Sequence, residues 1–124
     1  MSEKQDNRSA TADGLLDAMT AAPDHHHVLL ENEHVRVLDT RLAAGEATPV
    51  HEHGWPAVLH VLSWSDFVRI DPSGNVMLDS CAVGMNPKAG EILWGPALKP
   101  HAVRNVGTGE LRVIAIELKH ASKA

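Results

Sequence analysis

The sequence predicts an all-β fold, a double-sheet jelly roll or barrel, preceded by a short helix or a polar tail. Nine glycines and seven prolines are spread along the 124 residues between short apolar runs, and this pattern favours many turns over long helices. Between residues 29 and 119 the runs correspond to about eight to ten short strands. No long amphipathic helix separates them, which argues against an alternating α/β sheet.

The chain length allows about one domain. A chain of 124 residues is expected to bury roughly two-thirds of the surface that its unfolded form exposes, which is enough for a single core. We therefore divide the sequence into an N-terminal tail over residues 1–28 that could carry a short helix, one barrel domain over residues 29–119, and a C-terminal tail over residues 120–124.

The charge balance excludes some classes of partner. There are 16 acidic and 11 basic side chains, a formal net charge of −5, and no cluster of Lys and Arg is long enough to neutralise several phosphates. We therefore expect no nucleic-acid partner. Apolar runs stop well short of the ~20 residues that span a bilayer, and the first ten residues lack the apolar core of a signal peptide. The sequence thus predicts a soluble cytoplasmic protein with no membrane partner.

The first elements are predicted from local composition. Residues 1–11 are polar and without period, which is typical of a tail. Residues 13–22 could form a short helix that Pro23 ends. The run at residues 34–42 then alternates valine with a charged residue before becoming less regular, as expected of a half-buried strand.

A hairpin is predicted at residues 66–78. Asp71 comes first, Pro72 second and Gly74 fourth in a four-residue stretch between two apolar runs, which is the preferred composition of a type I turn. Further strands are predicted at residues 58–62, 91–94, 102–106 and 111–118. The last of these has so little polar content that it should be central in a sheet or buried on both faces.

Cysteine usage limits the kinds of metal site. The single Cys81 excludes an intrachain disulfide and a cysteine-rich zinc pattern, so any metal must depend on histidine and carboxylate ligands. We expect Cys81 to be a small buried hydrophobic residue rather than a nucleophile.

The chain has nine histidines, and their positions indicate different roles. His25, His26 and His27 precede the first strand, and we interpret them as a solvated linker. Neighbours in an extended chain point to opposite faces, so only His25 and His27 could share an ion. His34 and His120 stand at predicted strand ends and are interpreted as surface residues.

His51 and His53 have the spacing of a ligand pair. Two residues apart on a strand, both imidazoles face the same side about 6 to 7 Å apart, within reach of one ion. Neutral imidazole is the commonest metal ligand among side chains. Alone, however, a His-x-His pair is a weak signal.

A second motif lies fifty residues further on, and the two together resemble the cupin family over most of residues 29–118. The first cupin motif has a glycine, five residues and His-x-His, supplied here by Gly45, His51 and His53. The second motif has proline and glycine before a strand, then a proline, a histidine and an asparagine. This chain supplies them as Pro87, Gly90, Pro96, His101 and Asn105.

The resemblance implies a fold, a metal and an assembly. Cupins are small double-sheet jelly rolls, in agreement with the fold predicted above. Their motif histidines converge on a divalent metal, commonly iron, manganese, nickel or zinc, and this implies a metal site at His51, His53 and His101. Small cupins commonly dimerise through sheet edges, so we expect a homodimer.

The chain departs from the family at the fourth ligand. The glutamate that follows His-x-His in cupins falls at Ala57 or Val58, and neither can bind a metal. With Ala57 in that position, strand parity turns His60 away from the site, whereas with Val58 there His60 would point inward; we favour the first alignment. Glu52 should point away by the same parity. Three-histidine iron sites exist in the thiol dioxygenase group of the superfamily, so the missing glutamate does not exclude a metal.

Five other residues are of a type that could take part in a site. Trp55 and Trp94 are expected to pack in the core or at the rim of a pocket. Arg69, Arg104 and Arg112 alternate with apolar residues on predicted strands and are expected to be solvated, although one that faced inward would suit an anionic ligand.

Two functions from different classes follow. In the first, the protein is a metal-dependent enzyme of dioxygenase-like or other metal-assisted chemistry that acts on a small molecule. In the second, it is a metal-free module that binds a small molecule without catalysis, and its inward histidines form hydrogen bonds to the ligand. No catalytic acid or base is assigned, because the fold alone does not choose between activities.

Overall fold

Two antiparallel sheets form the protein in a computed structural model that describes residues 14–120. The elements within this range are α1 (Ala18–Ala21), β1 (His26–Glu31), β2 (Val35–Leu42), β3 (His51–His53), β4 (Ala57–Ser63), β5 (Phe67–Ile70), β6 (Val76–Asp79), β7 (Ile92–Gly95), β8 (Leu98–Asn105) and β9 (Leu111–Leu118). The larger sheet has the strand order β1-β2-β9-β4-β7, and the smaller has the order β3-β8-β5-β6. This is the predicted double-sheet jelly roll.

The N-terminal helix is a single turn. Asp17 caps it, because its side chain accepts a hydrogen bond of 3.1 Å from the backbone N–H of Met19. The helix predicted at residues 13–22 is therefore present but shorter than expected. The predicted tail over residues 1–11 lies outside the described range, as do residues 121–124. No helix within residues 14–120 is long and apolar enough to cross a membrane.

The most apolar strand is central, as predicted. β9 lies between β2 and β4, and it pairs with β2 at eight positions from Val35↔Leu118 to Leu42↔Leu111. Leu38, Ala57 and Ala115 form the buried core cluster on these three strands. Since register partners share a face, the inner face of the larger sheet is fixed by this pairing.

The predicted hairpin joins β5 to β6. The backbone N–H of Gly74 donates to the carbonyl of Asp71 at 2.9 Å, and Gly74 has a φ of +90°, which favours glycine. One side-chain oxygen of Asp71 also accepts from the backbone N–H groups of Ser73 and Asn75. The turn composition thus specified both the place and the closure of this hairpin.

Cys81 corrects one expectation. It lies just after β6 and is exposed, whereas the sequence suggested a buried residue. The chain makes turns here, since the backbone N–H groups of Cys81 and Ala82 both bind a side-chain oxygen of Asp79.

Candidate metal centre

A cavity of about 300 Å³ lies between the two sheets. From the larger sheet it is lined by alternating residues, such as Ala57, Leu59 and Val61 on β4. Most of the lining is apolar, and several histidines from both sheets stand out against it. A concave, mostly apolar site with a few converging polar groups is the usual form of a small-molecule pocket.

Two adjacent strands of the smaller sheet carry the three predicted ligands. His51 and His53 lie on β3, and His101 on β8 is the register partner of His51. The ring centroids of His51 and His101 are 4.6 Å apart, those of His51 and His53 are 5.0 Å apart, and those of His53 and His101 are 5.7 Å apart. The structure therefore brings the two sequence-distant motifs together at one end of the cavity.

A fourth imidazole joins them from the larger sheet. His26, the first residue of β1, has its ring centroid 4.9 Å from that of His51 and 5.4 Å from that of His53. A ring nitrogen from each of His26, His51 and His53 lies within 4.8 Å of the others, so the tightest group of three contains His26 in place of His101. We call His26, His51, His53 and His101 the histidine cluster.

The interpretation of residues 25–27 as a solvated linker is wrong for His26. Its side chain is buried, with 1% of its surface exposed. No sequence pattern marks this residue, because the rest of β1 is exposed and shows no alternation that would indicate an inward face. His25 also lines the cavity, where its Nδ1 contacts the carbonyl of Arg41 at 3.0 Å.

Every ring in the cluster is held through its Nδ1 atom by an oxygen. The Nδ1 of His26 donates to the carbonyl of Ala22 at 2.9 Å. Those of His51 and His101 donate to the carbonyls of Pro49 and Lys99 at 2.8 and 2.7 Å. Because a carbonyl oxygen can only accept, these three Nδ1 atoms carry the proton. In the neutral rings the lone pair is then on Nε2, the arrangement found in most metal-ligating histidines.

The fourth ring is held by a carboxylate. The Nδ1 of His53 contacts Oε2 of Glu117 at 3.2 Å, and Glu117 is 1% exposed. The other oxygen of Glu117 accepts from Nε of Arg36 at 2.6 Å, and Arg36 in turn forms a bidentate pair with Asp17 at 2.9 and 3.0 Å. This carboxylate–histidine pairing fixes the orientation of the ring.

Burial favours the neutral form of three histidines in the cluster. It lowers the pKa of His26 and His101 from the ordinary 6.5 to about 4, and that of His51 to about 2, because an imidazolium would lose its hydration. Burial alone would raise the pKa of Glu117, but the hydrogen bond from His53 and the charge of Arg36 hold that pKa below its usual range. The site thus combines three histidines held in the neutral form with an ionised carboxylate behind the fourth, His53.

The position of the missing glutamate is settled by strand parity. Ala57 lines the cavity and is the register partner of Glu117 on β9. His60 pairs with Ile114 and Ile92, and it is not among the cavity-lining residues of the described chain. His60 therefore faces away, as the favoured alignment predicts. A carboxylate is nonetheless present beside the gap, and it comes from the neighbouring strand.

The two tryptophans and three arginines named in the sequence analysis lie either beside the cavity or on the protein surface. Trp55 lines the cavity, and the guanidinium carbon of Arg36 lies 5.2 Å from the centroid of the Trp55 ring. Trp94 also lines the cavity, and it is 60% exposed. Arg104 is exposed, and Arg112 pairs with Asp39 at 2.9 Å. Arg69 is different, because it lines the cavity.

Comparison with known proteins bears on the fold. No protein-family model and no curated protein matches the chain. Among solved structures, a cupin domain from Bordetella pertussis Tohama I is 24% identical, with a TM-score of 0.60 over 76% of this chain and 91% of that chain. An RmlC-like cupin with a double-stranded β-helix fold from Methanocaldococcus jannaschii is 19% identical, with a TM-score of 0.54 over 77% of this chain and 79% of that one.

A third similar structure has a named activity. The polyketide cyclase RemF from Streptomyces resistomycificus is 17% identical, with a TM-score of 0.51 over 81% of this chain and 68% of that chain. Likeness at these identities establishes the architecture alone. The chain therefore has a cupin-like jelly-roll fold.

Proposed function

We propose that the protein binds one divalent transition metal through His51, His53 and His101, with His26 as a fourth imidazole, and acts on a small molecule in the adjoining cavity. The observation that carries the proposal is the common anchoring of the four rings. Each Nδ1 contacts an oxygen acceptor, so the nitrogen available for a metal is Nε2 in all four.

The donor set favours particular ions. Imidazole nitrogens suit zinc, iron, copper and nickel, whereas magnesium and calcium prefer oxygen. Iron, manganese, nickel and zinc all stay candidates, with manganese the least suited to a nitrogen-rich site. When bound, such an ion would supply Lewis-acid or dioxygenase-like chemistry. The chain's own contribution is to hold neutral donors in place and to keep the cavity largely apolar.

Metal analysis tests the proposal directly. We expect untagged protein to carry about one metal ion per chain by elemental analysis, because the histidine nitrogens form one group of ligands. His101→Ala and His26→Ala should both lower that content. His60→Ala is the matched control, since His60 faces away from the cavity, and it should bind metal like the parent. Equal metal content in all four proteins would contradict the site.

The alternative function is a metal-free binding module. The apolar lining favours it, because such a cavity can take up a small molecule by burial alone. Ligand binding to chelator-treated protein distinguishes the two functions. A metal-free module would bind its ligand with unchanged affinity after the metal is removed.

We also propose a homodimer, on the sheet edge formed by β1. This strand has a single neighbour in the larger sheet. Its residues Val28, Leu29 and Leu30 are 42%, 58% and 51% exposed. An apolar edge strand with unpaired backbone groups is a surface that proteins usually cover.

A further inference from the structure

Arg69 places a positive charge in the wall of the cavity. It lies on β5 and lines the cavity, with the guanidinium carbon 5.6 Å from the ring centroid of Phe67. Its Nε atom is buried and has no hydrogen-bond partner within the described chain. Burial lowers the pKa of Arg69, which reflects the cost of holding this charge away from water.

The other arginines of the two sheets are paired or exposed. Arg36 binds Asp17 and Glu117, while Arg41 and Arg112 share Asp39. Arg104 is exposed. Within residues 14–120, Arg69 forms no ion pair with a carboxylate. A half-buried guanidinium with a buried, unbonded Nε and no carboxylate partner among the described residues is unfavourable, so this position suits an anion from outside the chain.

A second unsatisfied donor lies in the same wall. Trp64 Nε1 is buried without a hydrogen-bond partner among residues 14–120, and Trp64 lines the cavity. Its ring packs on Phe67, with centroids 5.6 Å apart, so Trp64 and Arg69 both contact the same phenylalanine. Both orphaned groups are donors, which points to a ligand that brings acceptors.

The sheet register places Arg69 near the histidine cluster. Arg69 pairs with Val103 on β8, and His101 lies two residues before Val103 on the same face of that strand. Diagonal neighbours of this kind have Cα atoms about 7 to 8 Å apart. One small molecule could therefore contact both Arg69 and the cluster.

We propose that the cavity binds a small organic monocarboxylate, with its carboxylate on Arg69 and its remaining atoms directed toward the histidine cluster. A planar guanidinium matches a carboxylate in a bidentate pair. A single arginine balances a single negative charge, and the apolar side chains around it suit a carbon skeleton better than an inorganic anion. The cavity volume of about 300 Å³ is at the small end for ligand sites.

This inference deepens the proposed function by naming a substrate class, and it can be tested separately from the metal. Butyrate and its neutral isostere butyramide are the probes, titrated calorimetrically into full-length protein that is either treated with chelator or loaded with zinc. Inorganic phosphate is the third probe. The variants are Arg69→Gln and Arg69→Lys, with Arg104→Gln as the control that removes an exposed arginine from the neighbouring strand.

We expect butyrate to bind the parent and Arg104→Gln equally, and to bind roughly tenfold or more tightly than butyramide, since a charge-assisted pair is lost with the amide. Arg69→Gln should lose the preference for butyrate over butyramide. Arg69→Lys should keep part of that preference, which would show that a substitution at this position leaves the cavity folded. Equal affinities for butyrate and butyramide, a preference for phosphate, or an unchanged preference in Arg69→Gln would overturn the inference. If the protein takes up no zinc but still prefers butyrate, the carboxylate site at Arg69 is supported and the proposed metal site is contradicted.

Discussion

Glu117 links a buried arginine to the histidine cluster. Its two oxygens are divided between Arg36 and His53, and Arg36 is also paired with Asp17. The pKa of Glu117 is held below its usual range, so an ionised carboxylate stands directly behind His53 in a buried setting. Such a charge attracts a cation to the adjoining imidazoles, because interactions are stronger where water is excluded.

Replacing that carboxylate should weaken metal binding. In Glu117→Gln the amide can still accept from one neighbour, but the negative charge behind His53 is lost. We expect metal affinity to fall by about 10- to 100-fold, as for other partners of ligating histidines. Competition with a chromophoric chelator measures this directly. Glu110→Gln changes an exposed residue just before β9 and should leave metal affinity unaltered. An equal loss in both variants would contradict the role of Glu117.

The buried histidines also predict how stability depends on pH in metal-free protein. The pKa values of His26 and His101 are lowered by burial to about 4, whereas in the unfolded chain they are about 6.5. Between these values the unfolded state binds protons that the folded state does not. The free energy of unfolding should therefore fall as pH falls from about 6.5 to about 4, by up to ~1.4 kcal/mol per pH unit for each histidine.

Urea unfolding at several pH values in the presence of a chelator measures this slope. His101→Asn should reduce it, because one of the titrating groups is removed. His60→Asn, on the outer face, should not change it. A free energy of unfolding that stays constant between pH 7 and pH 5 in the parent protein would show that the cluster is hydrated rather than buried.

At the scale of strands, the sequence predicts some elements of the site and not others. Local composition was sufficient for the β5–β6 hairpin and for the central strand β9, because turn residues and apolar content act over a few positions. The alternation in β3 likewise put His51 and His53 on one face. The register that pairs His51 with His101 is long-range, so it followed from family resemblance rather than from periodicity.

His26 and Glu117 show why the rest could not be predicted. His26 is the one buried residue of an otherwise exposed strand, so no pattern distinguishes it from its neighbours. Glu117 sits in an apolar strand where a carboxylate looks like a solvated position. Its role depends on Arg36 and His53, which are 81 and 64 residues away in the sequence, and only the assembled sheets bring them together.

The pairing of β4 with β9 gives a prediction about the missing family ligand. Restoring it as Ala57→Glu would place a second buried carboxylate opposite Glu117, its register partner, with Cβ atoms about 4.5 to 5.5 Å apart. We expect a loss of about 2 kcal/mol or more in the free energy of unfolding of metal-free protein. Adding Glu117→Gln should recover part of it, because the like-charge repulsion is removed.

A double-mutant cycle by urea unfolding isolates this coupling. Ala57→Gln is the matched control, since it has nearly the same volume without the charge. Additive effects of Ala57→Glu and Glu117→Gln would mean that the two side chains do not meet, and that the cost arises from overpacking at Ala57.

At the scale of the molecule, the exposed edge of the larger sheet predicts self-association. We expect a mass in multi-angle light scattering of twice the 13.4 kDa chain at micromolar concentration. Leu30→Lys should shift the protein toward the monomer, because a charged edge strand resists pairing. Val83→Lys, which changes a residue that is 61% exposed outside the strands, should keep the dimer. A monomer for the parent would end this proposal.

The histidine cluster has a further consequence for chain topology. It joins β1, near the start of the described chain, to β8, near its end, so a shared ion would close the loop between residues 26 and 101 as a reversible cross-link. Closing so long a loop restricts the unfolded ensemble, and the benefit grows with the free concentration of the ion. β1 is held by a single neighbouring strand, so loss of the ion would remove a second attachment of this strand. The availability of metal would then govern the lifetime of the closed chain as well as the chemistry of the cavity.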